Sequence, residues 1–364
     1  MSVEFSTKLE RIVRLLAEHD LDALLLQGVA NFAWATCGGS AYVNTADTRS
    51  MATLLFSPEG RFLITNNIEA QRLKDEEVVA DQGWEFVTTP WEAPDDPLRR
   101  LTKNYRLGAD GFYSSARDLS AELTRLRMNL LPAEQERFRE VCRGCATAMD
   151  QAIRQVEPGM SEFEIAALLN RETQRRGITP IVNLIAVDER IYAYRHPLPT
   201  EKPLSRYAML ILCGRKYGLV GSITRFVHFG RLDEELKRKA QAVAGVDATF
   251  LHATRPGRSL AEIFNLAREQ YVRAGFAEEW RLHHQGGAVG YTPRELVATL
   301  DTLEQVSLGQ AYAWNPSITG TKSEDTILVL PEGNEILTEI PGWPSVTIET
   351  DGHEYARPAI LELD

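Results

Sequence analysis

A chain of 364 residues, 44% apolar and 25% charged, can bury an ample core and is long enough for two domains. Its formal charge of -11 comes from 51 acidic and 40 basic residues scattered along the chain, which argues against a nucleic-acid surface or an anionic membrane as partner. No apolar run reaches the ~20 residues of a membrane-spanning helix, and the N-terminus lacks the apolar core of a signal peptide, so a cytoplasmic protein acting on a small molecule or short peptide is expected.

Residues 6–20 carry apolar positions at helical spacing, residues 21–28 form a buried-strand run, and residues 51–66 predict a hairpin turning at Ser57, Pro58, Glu59 and Gly60. Strand signals over 84–91 and helical signals over 115–130 continue this α/β unit. At Leu131-Pro132 a proline at a helix start opens a new element, which places the domain boundary: an α/β domain over 1–130 and a second domain over 131–364. In the helix that follows, Cys142 and Cys145 make a C-x-x-C without the strand and loop of a redox motif. Together with the isolated Cys37 and Cys213 they are too few for a disulfide framework, and reduced, packed thiols are expected.

The second domain contains a weak internal repeat. Residues 152–178 match residues 250–276: helix, Pro-Gly turn, serine near a helix cap, helix, glycine stop. Each copy is followed by apolar β-rich segments, over 205–230 and 303–333. Two such halves predict paired helices against one curved antiparallel sheet, with a cleft between the halves.

Five blocks then occur in a fixed order: PGMSEFEIAALL, RHPLPTEKPLSRYAMLILCG, GSITRFVHFG, HHQGGAVGY and NPSITGTKSEDTILVLPEGNEILT. Block by block they resemble the pita-bread enzymes of the creatinase and Xaa-Pro peptidase family, which include methionine aminopeptidase, prolidase, aminopeptidase P and creatinase. The resemblance covers the chain from about residue 132, and the N-terminal domain is similar to that of prolidases and creatinase. It implies a mixed α/β (α+β) fold with a pseudo-two-fold pita-bread domain, and it implies a homodimer.

Metallopeptidases of that family hold two divalent ions with two aspartates, one histidine and two glutamates. The matching positions here are Leu212 (or Ile211), Ser222 (or Ile223), Gly287 and Asn315, and only Glu324 remains. A dinuclear site needs several anionic oxygens to offset two dications. No metal and no other cofactor is therefore expected, unless His228, His283 or His284 has been recruited as a ligand.

Creatinase cleaves a C-N bond without metal, and the resemblance puts its catalytic histidine at His196 and one of its substrate carboxylates at Glu324. An imidazole titrates near neutrality and can move a proton from water to a leaving nitrogen. Glu324, ahead of an apolar strand, is expected to pair with Arg225 or cap that strand, stay ionised, and anchor an amidinium, guanidinium or ammonium group. His283 matches a histidine that contacts substrate in the peptidases. If it and His284 lie on a strand, only one of the two enters the cleft, and the glycines after them would let a ligand approach the protein backbone closely. Supporting roles fall to Arg225, Tyr192, Tyr194, Arg195, His228, Tyr291, Arg294 and Asn315. The expected function is a metal-independent, creatinase-like hydrolase of a C-N bond in a small nitrogen-rich compound. Two alternatives stand beside it: a metallopeptidase with a rebuilt site, and a pita-bread binding protein without activity.

Overall fold

The computed structural model describes residues 2–77, 82–92 and 96–364. Contacts divide the chain into Met1–Glu134 with Tyr217–Leu219, and Gln135–Lys216 with Val220–Asp364.

In the first unit, helix α1 (Val3–Glu18) starts where the Ser2 side chain accepts a bond from the Phe5 amide at 3.2 Å. It is followed by β1 (Ala23–Gly28), α2 (Val29–Ala35), β2 (Arg49–Ser57), β3 (Gly60–Asn66), α3 (Ala70–Glu76) and β4 (Glu85–Thr89). Helix α4 (Pro97–Thr102), β5 (Leu107–Ala109), β6 (Ala116–Asp118) and α5 (Ser120–Met128) complete it. The expected hairpin is β2 and β3, closed by the Ser57–Gly60 pair. The six strands form one mixed sheet in the order β4-β3-β2-β1-β5-β6, with a core of Leu25, Leu55, Phe62, Ile64 and Leu107 on one face. The stretch over 115–130 departs from the helical expectation at its start, because residues Ala116–Asp118 pair with β5 before the helix begins.

The second unit shows the repeat directly. Helix α6 (Pro132–Ile153) leads to α7 (Glu162–Gln174), then β7 (Thr179–Val187), a short α8 (Glu189–Ala193), β8 (Tyr207–Lys216) and β9 (Leu219–Phe229). Helix α9 (Glu234–Ala253) leads likewise to α10 (Leu260–Arg273), β10 (Gly286–Val289), β11 (Leu296–Val297) and β12 (Ala311–Trp314). Both second helices open on the same capping box. Ser161 exchanges bonds with Glu164, and Ser259 with Glu262, each serine amide reaching its glutamate at 2.7 and 2.8 Å. Short strands β13 (Ser317–Ile318) and β14 (Thr321–Lys322) precede β15 (Asp325–Leu330) and β16 (Gly333–Ile336), and the chain ends in β17 (Ser345–Thr350), β18 (His353–Pro358) and β19 (Leu361–Leu363).

The single curved sheet expected from sequence is divided by its hydrogen bonds into two sheets, β19-β9-β8-β7 and β11-β10-β12-β15-β16. One isolated bridge, Thr224 with Glu324, ties β9 to the segment before β15. Helix α6 closes on β8 and β9 at two glycines: a Cβ on Gly214 would stand 2.5 Å from the Cys145 sulfur, and one on Gly221 2.9 Å from the Cys142 sulfur. Both thiols are fully buried, none of the four cysteines forms a disulfide, and burial pushes Cys145 up to about 12. Among the described residues, no helix is long and apolar enough to cross a membrane.

Candidate functional site

The bridge between the two sheets decides which side chains meet. Neighbouring residues on an extended strand face opposite ways, so Thr224 and Glu324 share one face while Arg225 and Asp325 share the other. On the first face, Glu324 Oε2 accepts from the Thr224 hydroxyl at 2.6 Å and pairs with Lys322 Nζ at 2.8 Å, while its Oε1 pairs with Arg294 Nη2 at 3.0 Å. Burial alone would raise the Glu324 carboxyl, but Lys322, Arg294 and the Thr224 hydroxyl outweigh it and hold the group well below the usual carboxylate range.

On the opposite face, Arg225 Nη2 donates to Asp325 Oδ1 at 2.8 Å, and Asp325 Oδ2 pairs with Arg357, which also holds Asp247 at 2.6 Å. The expected Arg225–Glu324 ion pair is therefore corrected. Arg225 reaches only the backbone carbonyl of Glu324, at 3.2 Å, and belongs to a buried structural network.

Three histidines converge beside Glu324. His196 lies in the loop between α8 and β8, and His283 and His284 lie between a 3-10 turn (Glu279–Leu282) and β10. The Nε2 atoms of His196 and His283 are 3.0 Å apart, and the His284 ring lies 4.3 Å from that of His283 and 5.8 Å from that of His196. Strand alternation does not apply to this irregular segment, so both adjacent histidines enter the cluster, against the expectation that only one would. Burial lowers all three imidazoles below their ordinary value, reinforced by the Lys322 charge and, for His196 and His284, by Arg294: His283 to about 2 and His284 to about 4. At neutral pH the trio is uncharged.

The other candidates separate. Tyr194 lines a narrow pocket with His283, Arg195 and Lys322. Arg195 is already engaged by Glu279 at 2.8 Å and by the Thr319 hydroxyl at 3.0 Å, so it does not serve as an open carboxylate anchor. The Tyr192 ring instead covers Gly320, near the Lys239 ammonium. His228 turns its Nδ1 to the Gly230 carbonyl at 2.9 Å, outside the trio, because its short-range backbone partner holds it at the end of β9. Tyr291 is buried after β10, its amide donating to Glu295 at 2.9 Å. Asn315 is buried, its backbone amide donating to the Gln285 carbonyl at 3.0 Å, and its side-chain oxygen meets no hydrogen-bond partner. A larger cavity of about 300 Å³ between α9, β9 and β19 shares Lys322 with the site, but no histidine lines it.

Lys322 was absent from the sequence reading. The signal was present, since Lys322 and Glu324 are two residues apart in an extended segment and so share a face.

The positions that resemble the family's metal ligands do not fit a metal pair. Leu212 and Ile223 are fully buried apolar side chains, and the Ser222 hydroxyl reaches only the Cys213 sulfur at 3.4 Å. At Gly287 an added Cβ would stand 2.1 Å from the Leu296 carbonyl oxygen, with φ at +151°, and at Gly286 2.1 Å from that of Ala313. These glycines admit the neighbouring strands β11 and β12, not the ligand expected from sequence. One carboxylate, already neutralised by two protein cations, is what remains.

Sequence and structure comparisons agree with this architecture. Residues 8–141 match the creatinase/prolidase N-terminal domain, and residues 136–350 match metallopeptidase family M24. An uncharacterised peptidase of Staphylococcus haemolyticus is 22% identical over 91% of this chain and 99% of its own. The Xaa-Pro dipeptidase of Pyrococcus horikoshii is 22% identical over 91% of this chain and 97% of its own. The solved Xaa-Pro dipeptidase of Bacillus anthracis superposes with a TM-score of 0.80 at 20% identity, covering 99% of this chain and 100% of that one. With a creatinase/prolidase domain ahead of a pita-bread domain, the chain belongs to metallopeptidase family M24, a family of hydrolases.

Proposed function

We propose that this chain hydrolyses an amide-type C-N bond in a small carboxylate-bearing compound, such as a dipeptide or acylated amino acid, without the metal pair of its family. The observation that carries the reading is Glu324. Its carboxylate is held by Lys322 and Arg294 at 2.8 and 3.0 Å, so two organic cations surround the one carboxylate that the resemblance matches to a metal ligand. Two cations against one carboxylate leave the face positive. That charge disfavours the amidinium or guanidinium substrate expected from sequence and favours a carboxylate or a developing oxyanion.

His196 is the exposed member of the trio and is uncharged at neutral pH, which suits a base that takes a proton from water. The water oxygen adds to the carbonyl carbon, and the new oxyanion faces Lys322 and Arg294. The C-N bond then breaks as the imidazolium returns its proton to the leaving nitrogen. His283, 3.0 Å away, orients the His196 ring. The four thiols outside any disulfide suit a cytoplasmic setting.

The test is a panel of dipeptides, N-acyl amino acids and ureido acids, with guanidino and amidino compounds for contrast. At least one carboxylate-bearing compound should turn over, chelator should not lower the rate, and His196→Ala should reduce it by ~100-fold or more. Equal rates for wild type and His196→Ala would reject the assignment, as would turnover restricted to cationic compounds or abolished by chelator.

A further inference from the structure

The three histidines form a donor set that the proposed hydrolysis uses only in part. We propose that His196, His283 and His284 bind a single late first-row transition-metal ion, and that the bound ion inhibits the enzyme by occupying the His196 nitrogen. One ring nitrogen from each histidine lies within 4.8 Å of those of the other two. The His196 and His283 Nε2 atoms are 3.0 Å apart, close to the ~3.3 Å that tetrahedral zinc imposes on two imidazoles bound at 2.0–2.1 Å.

Little else holds these rings in place. His283 is 8% exposed, and its Nδ1 is buried without a hydrogen-bond partner. His284 Nδ1 accepts from the Gly286 amide at a long 3.3 Å, a bond readily exchanged for a metal bond. His196 is exposed, which leaves a fourth coordination position open to solvent or an exogenous ligand.

The donor chemistry selects the ion. An all-imidazole set suits zinc, copper, nickel or cobalt and discriminates against magnesium, calcium and manganese, which prefer oxygen. It therefore differs in kind from the carboxylate-rich pair of the family. Lys322 and Arg294 repel a dication, and the single Glu324 carboxylate between them offsets only part of their charge. That repulsion weakens the site, so the ion is exchangeable, and exchange makes it an inhibitor instead of a resident cofactor.

The experiment starts from chelator-stripped full-length protein, titrated with Zn²⁺ by calorimetry and with Co²⁺ by its visible absorption. One ion per chain should bind, with a dissociation constant on the order of micromolar, and Mg²⁺ should not compete. His283→Ala and the more exposed His196→Gln should each weaken binding at least ~10-fold, with folding verified by circular dichroism. His252→Ala, in the separate His252–His353 pair, should leave binding unchanged. Zn²⁺ should suppress turnover with a midpoint matching the binding curve. Failure to bind, or binding that survives both substitutions in the trio, would overturn the site, and saturation without loss of turnover would overturn the inhibition. Binding is read without substrate, so a chain that binds Zn²⁺ yet hydrolyses nothing sinks the proposed function and leaves the ion site standing.

Discussion

Replacing Glu324 by glutamine keeps its shape and removes its charge, which isolates the electrostatic role of this carboxylate. The side chain is 2% exposed and receives Lys322, Arg294 and Thr224 at 2.8, 3.0 and 2.6 Å. Thr224 keeps a partner in Glu324→Gln, whereas the Lys322 ammonium, itself 6% exposed, loses its counter-charge. Removing one partner of such a buried pair costs about 3–5 kcal/mol. Lys322→Met is milder, because Arg294 and Thr224 still satisfy the carboxylate, and the lost charged hydrogen bond is worth about 1.5–3 kcal/mol. In the double variant neither charge is stranded by the other, so its cost should fall short of the sum by about 2 kcal/mol. The assay is urea unfolding at neutral pH followed by fluorescence of Trp314 and Trp343, taking the transition of the second unit alone, since a two-unit chain need not unfold in one step. Costs additive to within about 0.5 kcal/mol would show that Lys322 and Glu324 do not act as a pair, and the cation-for-metal reading would fall with them.

Two further predictions follow from the packing. Gly287→His, which restores the family's histidine at its matching position, should unfold the second unit and restore no metal pair, because the new Cβ meets the Leu296 carbonyl at 2.1 Å; a folded variant that binds two Mn²⁺ per chain would refute this. Burial raises Cys142, Cys145 and Cys213, Cys145 to about 12, so the folded state holds these protons more tightly than the unfolded chain. The stability they contribute is complete below the unfolded thiol value of about 8.5 and drains away as pH rises towards the folded value. Urea midpoints should therefore fall through this alkaline window, and less steeply in Cys142→Ala/Cys145→Ala; identical slopes for the two proteins would contradict it.

What the amino-acid sequence determined by itself was local. Helix starts, the Ser57–Gly60 hairpin and the two capping boxes each depend on residues within about one turn of one another, so they are readable in order along the chain. The blocks that carry the family resemblance are local in the same way, each a short run of consecutive residues. The partners of the remaining charges were decided only by tertiary structure. His196 meets His283 across 87 residues and Arg225 meets Asp325 across 100, and both contacts follow from how β9, β10 and β15 dock. A shift of one residue at the Thr224–Glu324 bridge would exchange the two faces, placing Arg225 where Thr224 stands. That register is fixed by burial on both faces of the seam, which is why the cations beside Glu324 are Lys322 and Arg294 and not the Arg225 expected from sequence.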